Sequence, residues 1–226
     1  MSDIVIGKNT TTNADMVLHL PTVAVVTGKK MAGKTFLIRT IIERKEDGRI
    51  VLITNKPDSY HGYGENFQHL TKDNAFINIK DHLTIIDAAS LYENDPEHIL
   101  DNEIRDFTDK ICENDLIILD EAYPYLRDET NKYELLKGIE ESWKKGASII
   151  VSTNQVQTLI DEAPQLLEMC EYSICMMQDK DTAVKFCELA GSDRAKYELL
   201  QVYNLMEFGS ALICRQDGDI QFVKVG

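Results

Sequence analysis

Eight consecutive residues constrain this chain more than any other stretch: Gly28-Lys29-Lys30-Met31-Ala32-Gly33-Lys34-Thr35. They spell G-x-x-x-x-G-K-T. Before them, Thr22-Val23-Ala24-Val25-Val26 is a short β-branched run that reads as a buried strand. After them, Phe36-Leu37-Ile38-Arg39-Thr40-Ile41-Ile42 reads as a helix, expected to run to Lys45 and stop at Glu46-Asp47-Gly48. Strand, glycine loop and helix are what anion binding needs. Glycines let the backbone wrap closely around phosphate oxygens, and exposed N–H groups at a helix N-terminus attract negative charge. The stretch is a phosphate-binding loop, the Walker A motif, with Gly28, Lys29, Lys30, Met31, Ala32, Gly33, Lys34 and Thr35 as nucleotide-binding residues. Lys34 is expected to reach the β- and γ-phosphates of ATP and the Thr35 hydroxyl to bind Mg²⁺. The alternative, a tight turn with an ordinary lysine, leaves the flanking strand and helix unexplained.

A second landmark follows at Asp115-Leu116-Ile117-Ile118-Leu119-Asp120-Glu121, an apolar strand ending in two acids. Alone it is a weak signal, a strand entering an acidic turn. In a chain with a Walker A motif it takes the form of Walker B. Asp120 would then hold Mg²⁺, and Glu121 would orient and polarise the attacking water. A third strand, Ala147-Ser148-Ile149-Ile150-Val151-Ser152, ends in Thr153-Asn154-Gln155. A polar amide there would sense the γ-phosphate or position the water. The competing reading is a helix cap, where Asn and Thr are common.

The chain's 226 residues suffice for one α/β domain with a full core. The reading is a single domain over 1–226: an N-terminal arm (1–20), a nucleotide-binding core (21–205) and a closing β-hairpin (206–226). The arm is polar and threonine-rich, contributing one edge strand at most. Ile50–Thr54 and Leu83–Asp87 read as buried strands, Pro96–Glu113 and Asn131–Lys145 as amphipathic helices, and Tyr172–Met177 as a further strand. Short helices follow over Asp179–Ala190 and Asp193–Gln201, and Asp217-Gly218 turns the final hairpin. Between Asn55 and Phe67, Pro57, Tyr60, His61, Gly62, Tyr63 and Gly64 mark a loop, whose aromatics either contact a substrate or pack as ordinary surface tyrosines. No apolar run approaches a membrane span, and Met1-Ser2-Asp3-Ile4-Val5 lacks the regions of a signal peptide, so secretion is not expected. Five cysteines without a C-x-x-C pair read as reduced thiols. The net charge of −14 argues against a surface coated in nucleic acid, and leaves room for local basic contacts only.

Together the landmarks resemble the FtsK–HerA superfamily of ring ATPases that pump DNA, and look most like its small members, the genome-packaging ATPases of tailless icosahedral viruses with internal membranes. The resemblance spans Thr22 to Val225. Its more specific part is Trp143-Lys144-Lys145-Gly146-Ala147-Ser148-Ile149-Ile150-Val151-Ser152-Thr153-Asn154-Gln155. Relatives carry a basic pair, a glycine, a hydrophobic strand and then Thr-Gln. Here an extra polar residue intervenes, so either Asn154 takes the glutamine's place or Gln155 does with a one-residue offset. The resemblance implies a P-loop NTPase of RecA/FtsK–HerA type, with a mostly parallel central sheet flanked by helices and a C-terminal β-hairpin. It implies ATP and Mg²⁺ as cofactors, and hydrolysis by in-line attack of water without a covalent enzyme intermediate. The implied partners are duplex DNA, further copies of the chain in a ring, expected to be a hexamer, and a capsid vertex or internal membrane protein. The implied location is the host cytoplasm or the virion. It also implies an arginine supplied to a neighbour's γ-phosphate. Of seven arginines, Arg127, after Walker B, and Arg215, in the closing hairpin, are best placed. DNA contact would fall to Lys144 and Lys145 or to the Tyr60–Tyr63 loop. Two rivals are an ATP-binding switch or assembly factor that moves nothing, and a small-molecule kinase. A kinase lid needs arginines, and only Arg127 and Arg194 lie between Walker B and the last strands.

Overall fold

The computed structural model describes residues 3–63, 66–69, 79, 82–88, 110–123, 126, 129–191 and 193–226. Its strands are β1 (Asp3–Asn9), β2 (Asp15–His19), β3 (Val23–Thr27), β4 (Ile50–Thr54), β5 (Asn66–His69) and β6 (Leu83–Asp87). They continue with β7 (Leu116–Asp120), β8 (Ser148–Thr153), β9 (Tyr172–Met176), β10 (Ser210–Arg215) and β11 (Ile220–Val225). The α-helices are α1 (Lys34–Arg44), α2 (Glu129–Lys144), α3 (Val156–Glu162), α4 (Pro164–Met169), α5 (Lys180–Gly191) and α6 (Asp193–Val202). The chain divides into two compact units, Met1–Glu46 with Ser152–Gly226, and Asp47–Val151.

In the first unit the strand order is β2-β1-β11-β10-β9-β3. β3 and β9 are parallel, with Ala24 opposite Tyr172 and Thr27 opposite Cys175. Both are buried along their whole length, which is why each reads as an unbroken apolar run and not as an alternation. The remaining pairs are antiparallel. The closing hairpin β10–β11 turns where Asp-Gly predicted, with Gly218 at φ 87° and the Asp217 carboxylate accepting the Asp219 N–H at 3.1 Å. α1 buries Leu37, Ile38 and Ile41, and Arg44 at its end donates to the Val5 carbonyl at 2.7 Å.

Two features of this unit differ from expectation. The arm holds two strands, not one. Ile4 and Ile6 alternate inward on β1, as do Met16 and Leu18 on β2. The turn between them is built by the Asn9 side chain, which accepts the N–H groups of Thr11 and Thr12 at 2.9 Å each. Gly7 sits where β1 meets β11 so closely that a Cβ would lie 2.2 Å from the Lys224 carbonyl oxygen. The stretch 156–171, which the sequence reading leaves without an element, holds α3 and α4, with Pro164 opening α4.

In the second unit the order is β8-β7-β4-β6-β5, all parallel; the last two residues of β8, Ser152 and Thr153, fall in the first unit. Parallel pairing gathers the carboxyl ends at one edge, where Thr54 is opposite both Asp87 and Asp120. Most of the helix expected over 96–113 lies outside the described residues. Its end does not reach Glu113, because Asp115 Oδ2 takes the Cys112 N–H at 2.8 Å and Asn114 turns left-handed at φ 68°.

The amino end of β7 is held by a buried ion pair. Asp115, 2% exposed at its side chain, receives Arg49 Nε at 3.0 Å and Nη2 at 2.5 Å, while Arg49 also donates to the carbonyls of Ile79 and Lys110. The carboxylate beside it raises the guanidinium's already high pKa, so Arg49 is charged at every accessible pH. Asp115→Asn would leave that guanidinium without its counter-ion, and we expect a loss of roughly 3 kcal/mol in urea denaturation. An unchanged midpoint would show that the pair contributes nothing.

Candidate functional site

The first unit carries the phosphate loop. β3 delivers the chain to Gly28, and the Lys29 N–H is held by the Met177 carbonyl at 3.0 Å, just past the end of β9. Met31 is left-handed at φ 67°, and the Ala32 N–H returns to the Lys29 carbonyl at 3.1 Å. Gly33 then takes φ 104° and stands as the N-cap of α1. A side chain there would be strained by that angle and would place its Cβ 3.0 Å from the Gly209 nitrogen. Lys34 opens α1. Its buried ammonium donates to the carbonyls of Gly28 at 2.9 Å and Lys29 at 3.4 Å. α1 has no capping side chain and no acid in its first turn, so nothing of its own neutralises the positive end of its dipole. Exposed Lys29 and Lys30 add to that field. The arrangement suits an anion with several oxygens.

At the tip of β8, Asn154 is half-buried and Gln155 exposed. Gln155 is the N-cap of α3 but makes no side-chain cap bond; its N–H goes to Thr153 Oγ1 at 3.0 Å. Arg215 lies at the end of β10 opposite Tyr172, the first residue of β9. It is thus at the other end of the strands from the phosphate loop. It pairs with Asp217 at 2.9 Å and stands 5.6 Å from the centre of the Tyr172 ring. Both contacts lie within its own chain, and the side chain stays one-third exposed.

The second unit carries the acidic strand end. Asp120 is buried at the carboxyl end of β7. A buried carboxylate needs donors, and it has two on Oδ2: the Tyr60 hydroxyl at 2.8 Å and the Thr54 hydroxyl at 3.4 Å. Thr54 Oγ1 in turn accepts the Lys56 N–H at 3.0 Å. Glu121 follows at φ 58°, a left-handed conformation that costs a non-glycine residue energy and is kept where a side chain must be aimed. The Lys56 ammonium holds its carboxylate Oε1 at 2.7 Å. One short segment after β4, from Thr54 through the 3-10 turn Pro57–Tyr60, therefore positions both acids. Sequence reasoning missed Thr54 and Lys56 entirely. It also offered Tyr60 as a contact for DNA, which is corrected here: Tyr60 is 0% exposed, and its hydroxyl is spent on Asp120.

Lys144 and Lys145 are exposed at the end of α2, before β8 begins. They are therefore at the amino ends of the parallel strands, away from Asp120 and Glu121. Lys144 forms an i,i+4 pair with Glu140. Arg127 lies outside the described residues. All five cysteines are free and four are buried; burial pushes the Cys170 thiol up, and the neighbouring thiols of Cys175 and Cys214 push up that of Cys187. Cys170 and Cys187 are therefore poor nucleophiles.

Among the described residues no group of three His, Cys, Asp or Glu side chains could hold a metal by itself. Mg²⁺ does not need one, since it keeps several waters and takes phosphate oxygens with one or two protein ligands. The Thr35 hydroxyl and the Asp120 carboxylate are each hard oxygen donors of that kind.

No protein-family model matches the chain, and no curated protein matches it by sequence. Solved structures do match. The chain is similar to the genome packaging NTPase B204 from Sulfolobus turreted icosahedral virus 2 in complex with ATP-gammaS, at 16% identity and TM-score 0.62, over 90% of this chain and 97% of that one. It is similar to VirB4 of Thermoanaerobacter pseudethanolicus at 11% identity and TM-score 0.77, over 99% of this chain and 96% of that one. It also matches the cytoplasmic domain of the Thermomonospora curvata type VII secretion ATPase EccC at 14% identity and TM-score 0.65, over 99% of this chain and 26% of that one. At these identities the likeness establishes the fold. It is that of P-loop NTPases. Among the described residues no helix is long and apolar enough to cross a membrane.

The anchoring of Asp120 is testable without any ligand. Tyr60→Phe removes the closer of the two hydroxyl donors on Asp120 Oδ2 from a buried site and should cost about 1–3 kcal/mol in chemical denaturation, the penalty of a charged acceptor that loses a partner. A variant as stable as the parent would mean that the Asp120 carboxylate does not depend on this hydroxyl.

Proposed function

We propose that this chain binds and hydrolyses Mg·ATP to translocate duplex DNA, as a genome-packaging motor of the FtsK–HerA type. One observation carries the reading: a single chain pairs a phosphate loop whose helix head has no acid of its own with a strand-end Asp-Glu whose glutamate is held left-handed. Lys34 and the loop N–H groups hold the phosphate charge, and Thr35 and Asp120 hold Mg²⁺. When bound, Mg²⁺ neutralises phosphate charge. Glu121 receives the proton of the attacking water on the carboxylate oxygen that Lys56 leaves open, and hydrolysis proceeds in line without a covalent intermediate. Asn154 or Gln155, at the tip of β8, senses the γ-phosphate.

The DNA contact in this proposal is local, because a chain of net charge −14 does not hold a polyanion by its overall field. Lys144 and Lys145 are the contact residues. The exposed pair between Lys144 and Glu140 is worth little and exchanges readily for a phosphate. The working form is a ring of six copies in the host cytoplasm or virion, docked on a capsid vertex or an internal membrane protein. Arg215 or Arg127 reaches a neighbour's nucleotide. The likeness to B204, a genome packaging NTPase, supports DNA as the cargo.

Glu121→Gln should retain ATP binding and slow hydrolysis by about 10², the scale of a lost general base. Lys34→Ala should weaken ATP binding itself. Steady-state ATPase rates with and without duplex DNA decide the cargo. Stimulation by duplex of any sequence, fading as salt rises, is the expected result. ATP turnover indifferent to DNA at low salt would leave an ATP-dependent switch, and wild-type turnover by Glu121→Gln would remove the Walker B assignment.

A further inference from the structure

The first unit keeps two phenylalanine rings on its surface beside the phosphate loop. Phe36 directly follows Thr35 in the first turn of α1 and is 40% exposed; Phe208 precedes β10 and is 56% exposed. Their centroids are 6.0 Å apart with the planes inclined by 42°. The segment that carries Phe208 is pinned at successive residues. The Ser210 N–H donates to the Glu207 carbonyl at 2.9 Å, and the Gly209 N–H to the Ala32 carbonyl of the phosphate loop at 3.2 Å. The Lys224 ammonium donates to the Phe208 carbonyl at 2.8 Å and to the Glu207 carboxylate. That ammonium holds the Glu207 carboxyl below the usual carboxylate range. Gly209 and Gly33 approach so closely that a Cβ on Gly33 would meet the Gly209 nitrogen. The segment is thus fastened to the loop itself.

A large ring on a mobile surface loop needs no explanation. A ring whose backbone is fixed by hydrogen bonds, yet which is left more than half exposed, is preorganised for something flat. The loop's ligand supplies it. A nucleoside triphosphate gripped by its phosphates at the head of α1 must carry its ribose and base out over a rim of the loop, and this rim bears aromatic faces. We propose that Phe208, supported by Phe36, stacks on the base of the nucleotide whose phosphates the loop holds. The inference rests on the reading of Gly28–Thr35 as a nucleotide site. It adds to that reading a residue that senses the base by its face, which every base offers, and not by an edge pattern.

The test separates base from phosphate. Equilibrium binding of ATP and of inorganic tripolyphosphate, each with Mg²⁺, is measured for the wild type, Phe208→Ala and Phe208→Trp. The expected result is an ATP Kd about tenfold weaker in Phe208→Ala, the order one stacked base is worth. Tripolyphosphate affinity should be unchanged, which also reports an intact fold, and Phe208→Trp should bind ATP as the wild type does. ATP affinity unchanged in Phe208→Ala overturns the stacking role and leaves the nucleotide site standing. Equal weakening toward ATP and tripolyphosphate also overturns it, since the segment would then be shaping the phosphate loop. A wild-type chain that binds neither ligand overturns the nucleotide site and the stacking role with it.

Discussion

A single backbone angle carries the phosphate loop. At φ 104°, Gly33 turns the chain from loop into helix within one residue, and only then can Lys34 be the first residue of α1. The lysine's ammonium folds back on the carbonyls of Gly28 and Lys29, closing a ring of backbone around the helix head. The same glycine lets the Gly209 segment lie against the loop. The loop's shape and the position of Phe208 therefore depend on one missing Cβ. Glycine takes this angle without steric cost, and the neighbouring elements keep it there. Here β3, buried throughout, leads in, and α1, with Leu37, Ile38 and Ile41 buried, leads out.

The second unit meets a different cost. Asp120 brings a carboxylate into a buried strand end, where an unsupported charge is not tolerated. The neighbouring parallel strand supplies the remedy because its register places Thr54 opposite Asp120. The chain that leaves β4 then has just enough length to bring Lys56 to Glu121 and Tyr60 to Asp120. Parallel pairing makes this arrangement natural, since every carboxyl end and every following loop is at the same edge. At the opposite edge Arg49 and Asp115 bind three separate backbone segments together.

What the sequence revealed follows the same physics. The phosphate loop was legible because glycine and lysine spacing is dictated by backbone geometry within eight residues. β4, β6 and β7 were legible because strands buried on both faces are continuous apolar runs. The hairpin at Asp217-Gly218 was legible because φ above zero at Gly218 has a residue signature. The second strand of the arm was overlooked because polar threonines between β1 and β2 masked the I-x-I and M-x-L alternation. The support of Asp120 and Glu121 was not legible at all. Lys56 is 65 residues from Glu121 and Tyr60 is 60 from Asp120, so no local pattern joins them. Proline and glycine marked that segment as a loop, yet a buried tyrosine hydroxyl has to find a partner, and that requirement turned the loop inward.

The charge of the whole chain and the chemistry of its loop have opposite signs, and distance decides between them. A net charge of −14 repels a triphosphate, but physiological salt screens charges exposed to solvent beyond about 8 Å. Lys29, Lys30, Lys34 and the uncapped head of α1 act at contact range, where screening is weak and the Lys34 ammonium is already desolvated. A first turn free of acids matters more here than the sum of charges elsewhere. An acid at its start would stabilise α1 and compete with any anionic ligand for the same dipole. The chain forgoes that stabilisation at α1, while α5 opens with the Asp179 carboxylate accepting the Thr182 N–H at 2.9 Å, a bond that holds this acid below the usual carboxylate range. Two helices of one unit thus treat the same positive end in opposite ways, one satisfied by a carboxylate of its own chain and the other with neither a capping side chain nor an acid in its first turn.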